Sequence, residues 1–380
     1  MTKSRNGDIV VIYWELLSHA PKRARNGSAR GIAVFAAIIV QGSALMDYVT
    51  LGSTGIKVNK NGFGALPIQR VSDSEAEYLI RKAYRNGITL FDSARDYSDS
   101  EKKLGLALSG VRDKVFIATK TLTLDKGIFW EHLETSLKML KTDYIDIYQF
   151  HNPPFCPKPG DESGLYDAML EAKAQGKIRH IGITNHRIHV AREAAESGLY
   201  ETIQYPVSYL ASREELELVR LCADKNIGVL AMKALSGGLI TDSAAAYAYL
   251  LQFGNVIPIW GIQLESELDE FISYQDATPC LDNRAKIVIE RDKEELSGEF
   301  CRGCGYCLPC PAGIGIPIAA RMSLLLRRAH ESFFFNNHCR ESMLHAGECT
   351  NCRHCVEHCP YSIDAPKLIR ESWEEYRELV

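Results

Sequence analysis

Residues 88–120 read ITLFDSARDYSDSEKKLGLALSGVRDKVFIATK, and this stretch shows the repeating unit of the chain. Two continuous apolar runs, Ile88–Phe91 and Val115–Thr119, flank a segment with the helical repeat, Ser100–Leu108. Continuous rather than alternating hydrophobicity is typical of strands that are buried on both faces of a parallel sheet. We therefore interpret this stretch as a strand, a helix and a second strand.

The same unit recurs on both sides of this stretch. With 61–65 counted as the first strand, residues 47–275 contain eight strand-like runs, each followed by a helix. Helices begin at Ser or Asp and many end at Gly, as helix caps require. Eight such units predict an α/β fold, a (β/α)₈ barrel, rather than an open sheet. A Gly-Ser-Thr-Gly turn after Tyr48–Leu51 predicts a hairpin before the barrel.

Composition excludes several classes of protein. The 380 residues are 46% hydrophobic and 24% charged, which is typical of a globular chain and not of a disordered one. The net charge of −4 indicates no nucleic-acid partner, and no apolar run approaches the ~20 residues of a membrane span. Nine of the twelve cysteines lie between Cys301 and Cys359, eight of them in two closely spaced runs, and Cys339 and the other three stand alone. This distribution predicts a reducing, cytoplasmic location.

The ends of the chain differ from its middle. In residues 1–45 a basic stretch precedes a short apolar run, as in a signal peptide. We favour the alternative that this segment is an extension upstream of a natural start at Met46. We predict a barrel domain over 46–275 and a charged linker over 276–298. A small cysteine-rich domain with a C-terminal helix is predicted over 299–380.

Polar side chains follow three consecutive barrel strands at the ends where catalytic groups lie in this fold. Asp92, Lys120 and His151 end the second, third and fourth strand-like runs, and Tyr97 follows Asp92 in the same loop. An ammonium at Lys120, held by Asp92, is expected to lower the pKa of Tyr97. His151 is expected to orient a carbonyl oxygen beside the Tyr97 hydroxyl. The four residues predict a proton donor for an oxygen that becomes negative during hydride transfer.

These motifs resemble the Asp, Tyr, Lys and His tetrad of the aldo/keto reductases, and the resemblance covers 47–275. It implies that the opening hairpin closes the bottom of the barrel and that a nicotinamide coenzyme binds at the top. It also implies which residues contact that coenzyme. The nicotinamide carboxamide would contact Thr184, Asn185 and Gln204, and the pyrophosphate would contact the loop that contains Leu235 and Gly237.

Two departures bear on the coenzyme. Met232 stands where many members of the family carry an aromatic residue that stacks on the nicotinamide. The loop after the eighth strand, 261–271, carries four carboxylates and no Lys or Arg, whereas many members bind a 2′-phosphate there with basic side chains. Like charges repel. The cofactor is therefore expected to be NADH or NADPH, with NADH favoured.

The cysteine-rich region contains two runs of four cysteines. The first run is Cys301, Cys304, Cys307 and Cys310, and the second is Cys349, Cys352, Cys355 and Cys359. The second run has the spacing of bacterial ferredoxins, in which the cysteine before proline binds the other cluster. Structural zinc and disulfides are the alternatives, but zinc sites usually take widely separated pairs. The spacing favours two [4Fe–4S] clusters.

The resemblance to ferredoxins implies how the ligands divide. One cluster would take Cys301, Cys304, Cys307 and Cys359, and the other would take Cys310, Cys349, Cys352 and Cys355. Cys339 is the alternative to Cys310, because the first run is one residue short there. The runs are separated by 38 residues, which include an apolar segment, 316–326. This spacing resembles that of the helical two-cluster ferredoxins and implies a mostly helical ferredoxin-like domain. The whole chain resembles the iron–sulfur branch of the aldo/keto reductases.

The predicted function is that of an oxidoreductase. A nicotinamide-dependent barrel would reduce a small carbonyl substrate, or oxidise an alcohol, and would be coupled to two clusters and to a redox protein partner. Nicotinamide transfers two electrons at once and each cluster takes one, yet the sequence shows no flavin motif that would divide the pair. The alternative is an electron-carrier or redox-sensing adaptor that keeps the barrel as a binding module.

Overall fold

The computed structural model describes residues 48–296, 298–328 and 337–379, which belong to one compact unit, Tyr48–Val380. The predicted extension, 1–45, lies outside the described residues. The described chain begins with an antiparallel hairpin of β1 (Tyr48–Thr50) and β2 (Lys57–Asn59). Its apolar residues, such as Leu51, pack against side chains from the barrel interior. The predicted hairpin is confirmed.

The centre of the fold is a closed barrel of eight parallel strands, in which the last strand pairs with the first. The strands are β3 (Gly62–Gly64), β4 (Leu90–Asp92), β5 (Phe116–Thr121), β6 (Ile145–His151), β7 (Ile178–Thr184), β8 (Thr202–Pro206), β9 (Gly228–Met232) and β10 (Val256–Gly261). Nearly all their residues are buried, as the continuous apolar runs predict. The (β/α)₈ barrel is therefore confirmed.

A helix follows each barrel strand. These helices are α1 (Asp73–Arg85), α2 (Ser100–Leu108), α3 (Lys126–Leu140), α4 (Leu165–Ala174), α5 (Ile188–Ser197), α6 (Arg213–Asp224), α7 (Ser243–Leu251) and α8 (Glu265–Asp276). The buried residues of α1 are Ala76, Leu79, Ile80 and Ala83. Their spacing places them on one face of the helix, against the outer side of the barrel.

The predicted linker is mostly helical. Helix α9 (Asn283–Glu295) occupies much of 276–298 and begins at Asp282, whose side chain accepts a hydrogen bond from the backbone N–H of Ala285. Ala285 and Ile289 are buried in a cluster with Tyr209 and residues of α7. This segment therefore packs on the barrel, while the domain boundaries themselves remain predictions.

The cysteine-rich region is built from short helices, and its described residues contain no strand. The helices are α10 (Ile316–Ala319), α11 (Met322–Arg328), α12 (Asn337–Leu344), α13 (His354–Glu357) and α14 (Ala365–Arg377). Buried apolar residues from several of these helices, among them Met322 and Ile369, form one small core. The mostly helical C-terminal region is confirmed. No helix in the described part of the chain has the length and apolar character needed to cross a bilayer.

Candidate active site at the barrel mouth

The four predicted catalytic residues lie at the same end of the barrel. Asp92 is the last residue of β4, Lys120 is the penultimate residue of β5, and His151 is the last residue of β6. Tyr97 lies in the loop between β4 and α2. Because the strands are parallel, their carboxyl ends open on one mouth. The strand pattern alone therefore brings these side chains together.

A buried ion pair forms the base of the site. The Lys120 Nζ donates to Asp92 Oδ1 at 2.9 Å and to Oδ2 at 2.8 Å, and also to the Ser93 carbonyl oxygen at 2.5 Å. Burial lowers the pKa of Lys120, and the charge of Asp92 opposes that shift. Removing either partner would leave an uncompensated buried charge, which is strongly destabilising. Lys120 and Asp92 therefore form a stable buried ion pair at the mouth of the barrel.

Tyr97 lies above that pair. The Lys120 Nζ is 5.1 Å from the centre of the Tyr97 ring, and the ring meets that of His151 edge-on at 5.8 Å. Partial burial, followed by the charges of Asp92 and Asp96, raises the pKa of Tyr97 above its usual range. The expectation of a lowered pKa for Tyr97 is wrong, because burial and the two carboxylate charges act in the opposite direction. Tyr97 is therefore a neutral phenol at physiological pH.

His151 is neutral for a different reason. Its side chain is buried, and burial together with the nearby Lys120 lowers the pKa of His151 to about 3. Its Nδ1 is buried and has no hydrogen-bond partner among the described residues. A neutral imidazole carries one N–H donor and one acceptor nitrogen. His151 can therefore present a hydrogen-bond donor to a bound oxygen without adding positive charge.

The pKa of His151 in the folded protein can be measured by hydrogen exchange, and we expect it to be low. Exchange of the imidazole C2 hydrogen for deuterium depends on the charge of the ring, and mass spectrometry of the peptide that contains His151 reports it. In the folded protein the inflection for His151 should lie below pH 5, because burial excludes the charged form. In the denatured protein the same peptide should titrate near ~6.5. A folded-state inflection between pH 6 and 7 would contradict the prediction.

Two of the predicted coenzyme contacts lie beside the catalytic residues. Thr184, the last residue of β7, pairs in register with Gln204 of β8. The Gln204 Nε2 donates to Asp92 Oδ2 at 3.2 Å, and its Oε1 accepts from Gln149 Nε2 at 2.9 Å. Gln204 is thus bonded directly to the ion pair. The sequence analysis did not anticipate the part played by Gln149.

Both the nitrogen and the oxygen of the Asn185 side-chain amide form hydrogen bonds within the protein. Its Nδ2 donates to the Pro153 carbonyl oxygen at 2.8 Å, and its Oδ1 accepts from the backbone N–H of Arg187 at 2.8 Å. These bonds tie the loop after β6 to the loop after β7. Asn185 lies next to Thr184, but its contact with a coenzyme remains a prediction.

The loop after β9, which contains Leu235 and Gly237, faces the cysteine-rich region. Gly237 has a φ of +66°, in the left-handed region that favours glycine. Its carbonyl oxygen accepts a hydrogen bond from Arg321 Nη1 at 2.8 Å. The Lys233 Nζ donates to the Gly303 carbonyl oxygen at 3.0 Å. A dinucleotide that follows this loop must therefore share it with residues of the cysteine-rich region.

The carboxylates after β10 all have partners. Glu265 and Asp269 lie 2.5 and 2.6 Å from the Lys82 Nζ. Glu267 accepts backbone hydrogen bonds at the start of α8, and Glu270 accepts from the Ser243 hydroxyl at 2.5 Å. The expected repulsion of a 2′-phosphate is therefore weakened, because these charges are already compensated or bonded.

Two cavities in the cysteine-rich region are lined by the predicted ligand sets. One is lined by Cys301, Cys304, Cys307 and Cys359. The other is lined by Cys310, Cys349, Cys352 and Cys355. Four thiols around one space are the donor set of a [4Fe–4S] cluster, so the residues fit two such groups. In the described residues, no three Cys, His, Asp or Glu side chains converge on a single metal ion.

Cys310 and Cys339, the two candidates for the fourth ligand of the second set, lie in different surroundings. Cys310 lines the second cavity, whereas Cys339 is fully buried in the small apolar core and lines neither cavity. This arrangement supports Cys310 as the fourth ligand of the second set. The ligand assignment itself remains a prediction.

The sequence analysis missed three aromatic or imidazole side chains at the mouth. Tyr306, between two predicted cluster ligands, meets the ring of His151 at 6.4 Å and the ring of His186 at 5.3 Å. The His186 Nδ1 is 2.5 Å from the Tyr361 hydroxyl. Tyr306 is the only aromatic residue within the first cysteine run, and this was the one feature of the sequence by which it could have been singled out. Nothing local indicates that this run lies against the barrel.

Comparison with known protein families agrees with this architecture. Residues 60–249 match the family described as "Aldo/keto reductase family". Residues 300–365 match the "4Fe-4S dicluster domain". The two matches correspond to the barrel and to the cysteine-rich region.

Three curated proteins illustrate the similarity. The aldo-keto reductase YhdN of Bacillus subtilis is 32% identical, and the match covers 52% of this chain and 64% of that protein. L-galactose dehydrogenase of Arabidopsis thaliana is 30% identical over 50% of this chain and 66% of that protein. NADH-specific methylglyoxal reductase of Escherichia coli is 31% identical over 52% of this chain and 70% of that protein. The chain thus covers slightly less than two thirds of the first two relatives.

Solved structures show the same barrel. An aldo-keto reductase of Bacillus halodurans in its holo form superposes with a TM-score of 0.57 at 23% identity, over 65% of this chain and 96% of that one. An aldo-keto reductase of Klebsiella pneumoniae in complex with NADPH superposes with a TM-score of 0.56 at 21% identity, over 64% of this chain and 94% of that one. At this level of identity the likeness is one of fold.

Proposed function

This chain belongs to the aldo/keto reductase family, and we propose that its barrel reduces the carbonyl group of a small substrate with a nicotinamide coenzyme. The observation that carries the proposal is the arrangement at the mouth. A neutral phenol, Tyr97, lies over the buried pair of Lys120 and Asp92 and against the neutral ring of His151. The relatives named as reductases support the same reaction class.

When bound, the reduced nicotinamide supplies a hydride to the carbonyl carbon. Tyr97 holds a proton at its hydroxyl and gives it to the carbonyl oxygen as that oxygen becomes negative. His151 presents a neutral N–H to the same oxygen, which stabilises the developing charge. Lys120, held by Asp92, lies below the Tyr97 ring. The same groups in reverse would take the proton from an alcohol.

The cysteine-rich region adds a second redox function to this proposal. Eight of its nine cysteines would hold two [4Fe–4S] clusters, which transfer one electron each when bound. Cys355 lines both cavities, so the two sets lie side by side. The apolar side chain of Ile316 also lines both cavities. A redox protein partner would exchange electrons with this region.

The test is a turnover assay with the full chain, purified without oxygen so that it keeps its iron and sulfide. NADH or NADPH is added with a panel of small aldehydes, and loss of coenzyme absorbance is compared with alcohol formed. One alcohol per coenzyme oxidised supports the proposal. Coenzyme binding without alcohol from any aldehyde would support the adaptor hypothesis instead.

We predict that NADH binds at least as tightly as NADPH. Two basic side chains around this end of the barrel already have partners: Lys82 contacts Glu265 and Asp269, and Lys233 donates to Gly303. A 2′-phosphate would therefore gain no free charge-assisted hydrogen bond from either of them, and such a bond is worth about 1.5–3 kcal/mol. Fluorescence titration of each coenzyme into the protein measures both dissociation constants. NADPH binding tighter by tenfold or more would contradict this prediction.

A further inference from the structure

One side chain of the cysteine-rich region reaches the proposed carbonyl site. Tyr306 lies in the short segment between Cys304 and Cys307 and is half-buried. Its ring meets His151 at 6.4 Å with an angle of 80° between the ring planes. His186, which directly follows the Thr184–Asn185 pair, meets the same ring at 5.3 Å. Tyr306 therefore touches two residues that belong to the barrel mouth.

Tyr306 also lies close to the proposed proton donor. The ring of His151 meets the ring of Tyr97 at 5.8 Å and the ring of Tyr306 at 6.4 Å. The two tyrosines therefore contact the same imidazole. Tyr97, His151 and Tyr306 lie together at the same end of the barrel.

Hydrogen bonds between the barrel and the cysteine-rich region hold the segment that contains Tyr306. The Lys233 Nζ donates to the Gly303 carbonyl oxygen at 3.0 Å, three residues before Tyr306. Arg321 is 8% exposed and donates to the Gly237 carbonyl oxygen at 2.8 Å. Buried charge-assisted hydrogen bonds of this kind fix geometry as well as adding stability. Tyr306 is therefore not a freely moving surface side chain.

We propose that Tyr306 is a specificity-determining residue of the barrel site. Its ring contacts the bound substrate. Through Tyr306, substrate binding is coupled to the first ligand set, which consists of Cys301, Cys304, Cys307 and Cys359. This inference rests on the proposed carbonyl site. The coupling follows from chain connectivity, because Tyr306 is flanked by two members of that set. By linkage, a substrate that displaces the ring changes the surroundings of those sulfurs, and a change there alters substrate affinity.

The first arm of the test measures substrate selectivity. The ratio of kcat/KM for benzaldehyde to kcat/KM for propanal is determined for the wild-type holoprotein, Tyr306→Ala and Tyr306→Phe. Removing the ring enlarges the site, so Tyr306→Ala should raise the ratio at least fivefold, whereas Tyr306→Phe should keep it. Tyr376→Ala is the matched control, because Tyr376 packs on Trp373 within the same region. Iron and sulfide are counted in every variant, and Tyr306→Leu replaces Tyr306→Ala if the latter loses iron.

The second arm does not depend on turnover. Dithionite-reduced protein is examined by electron paramagnetic resonance before and after addition of benzoate, an unreactive probe. Benzoate should change the spectrum of the wild type and of Tyr376→Ala but not that of Tyr306→Ala. A ratio change below fivefold in iron-loaded Tyr306→Ala, or in Tyr306→Leu where it replaces Tyr306→Ala, would overturn the inference, and so would a wild-type spectrum that benzoate leaves unchanged. Failure of the proposed function is distinct: the wild type would then reduce neither aldehyde.

Discussion

Replacing Tyr97 with Phe should lower kcat for carbonyl reduction at least ~10²-fold, the loss typical when a general acid is removed. The substitution deletes one hydroxyl and keeps the ring that lies over Lys120 and against His151. Burial and two nearby carboxylates raise the pKa of Tyr97, so the wild-type residue carries its proton throughout the working pH range. Steady-state rates with the preferred aldehyde measure the effect.

The control is a second tyrosine-to-phenylalanine change at the other end of the barrel. Tyr48 is exposed on the hairpin, and Tyr48→Phe should keep wild-type turnover. Coenzyme affinity should stay within a few-fold in both variants, because neither hydroxyl is assigned a coenzyme contact. Turnover of Tyr97→Phe within threefold of the wild type would remove Tyr97 as the proton donor.

Replacing Cys310 with Ala should reduce the iron content of the protein from about eight atoms per chain to about four, because each complete cluster holds four irons and four sulfides. Cys310 lines the second cavity together with Cys349, Cys352 and Cys355. Loss of one of four thiols leaves one iron without its protein ligand. Iron and acid-labile sulfide are measured after purification without oxygen.

Cys339→Ala is the matched variant, since Cys339 lies in the same region but lines neither cavity. It should keep about eight irons, the number for two intact clusters. If Cys339→Ala lost iron and Cys310→Ala did not, Cys339 would be the cluster ligand and Cys310 would not. Zinc without labile sulfide in the wild type would refute both clusters.

Much of the fold and of the candidate site follows from local sequence. Continuous apolar runs predict parallel strands, and the structure closes those strands into the expected barrel. Because parallel strands end on one mouth, Asp92, Lys120 and His151 could be placed together without any knowledge of their contacts. The two cysteine runs could likewise be recognised as candidate cluster ligands, since such ligands follow a short spacing, whereas their division into two sets was implied by the resemblance to ferredoxins.

Other properties did not follow from the sequence. A charged segment resembled a linker, yet α9 packs Ala285 and Ile289 into a shared apolar cluster. Lys120 was expected to lower the pKa of Tyr97, but burial and the charges of Asp92 and Asp96 raise it. Such effects depend on which atoms surround a group in three dimensions, and residue spacing does not report them.

The sequence by itself determined the barrel and the strand-end residues, because both depend on strict periodicity and on interactions between residues close in the chain. Only the tertiary structure decided that the cysteine-rich region covers the loop after β9 and places Tyr306 against His151. That arrangement depends on hydrogen bonds between distant residues, such as Lys233 to Gly303 and Arg321 to Gly237. Docking of this kind is a sum of long-range contacts, and no local pattern encodes it.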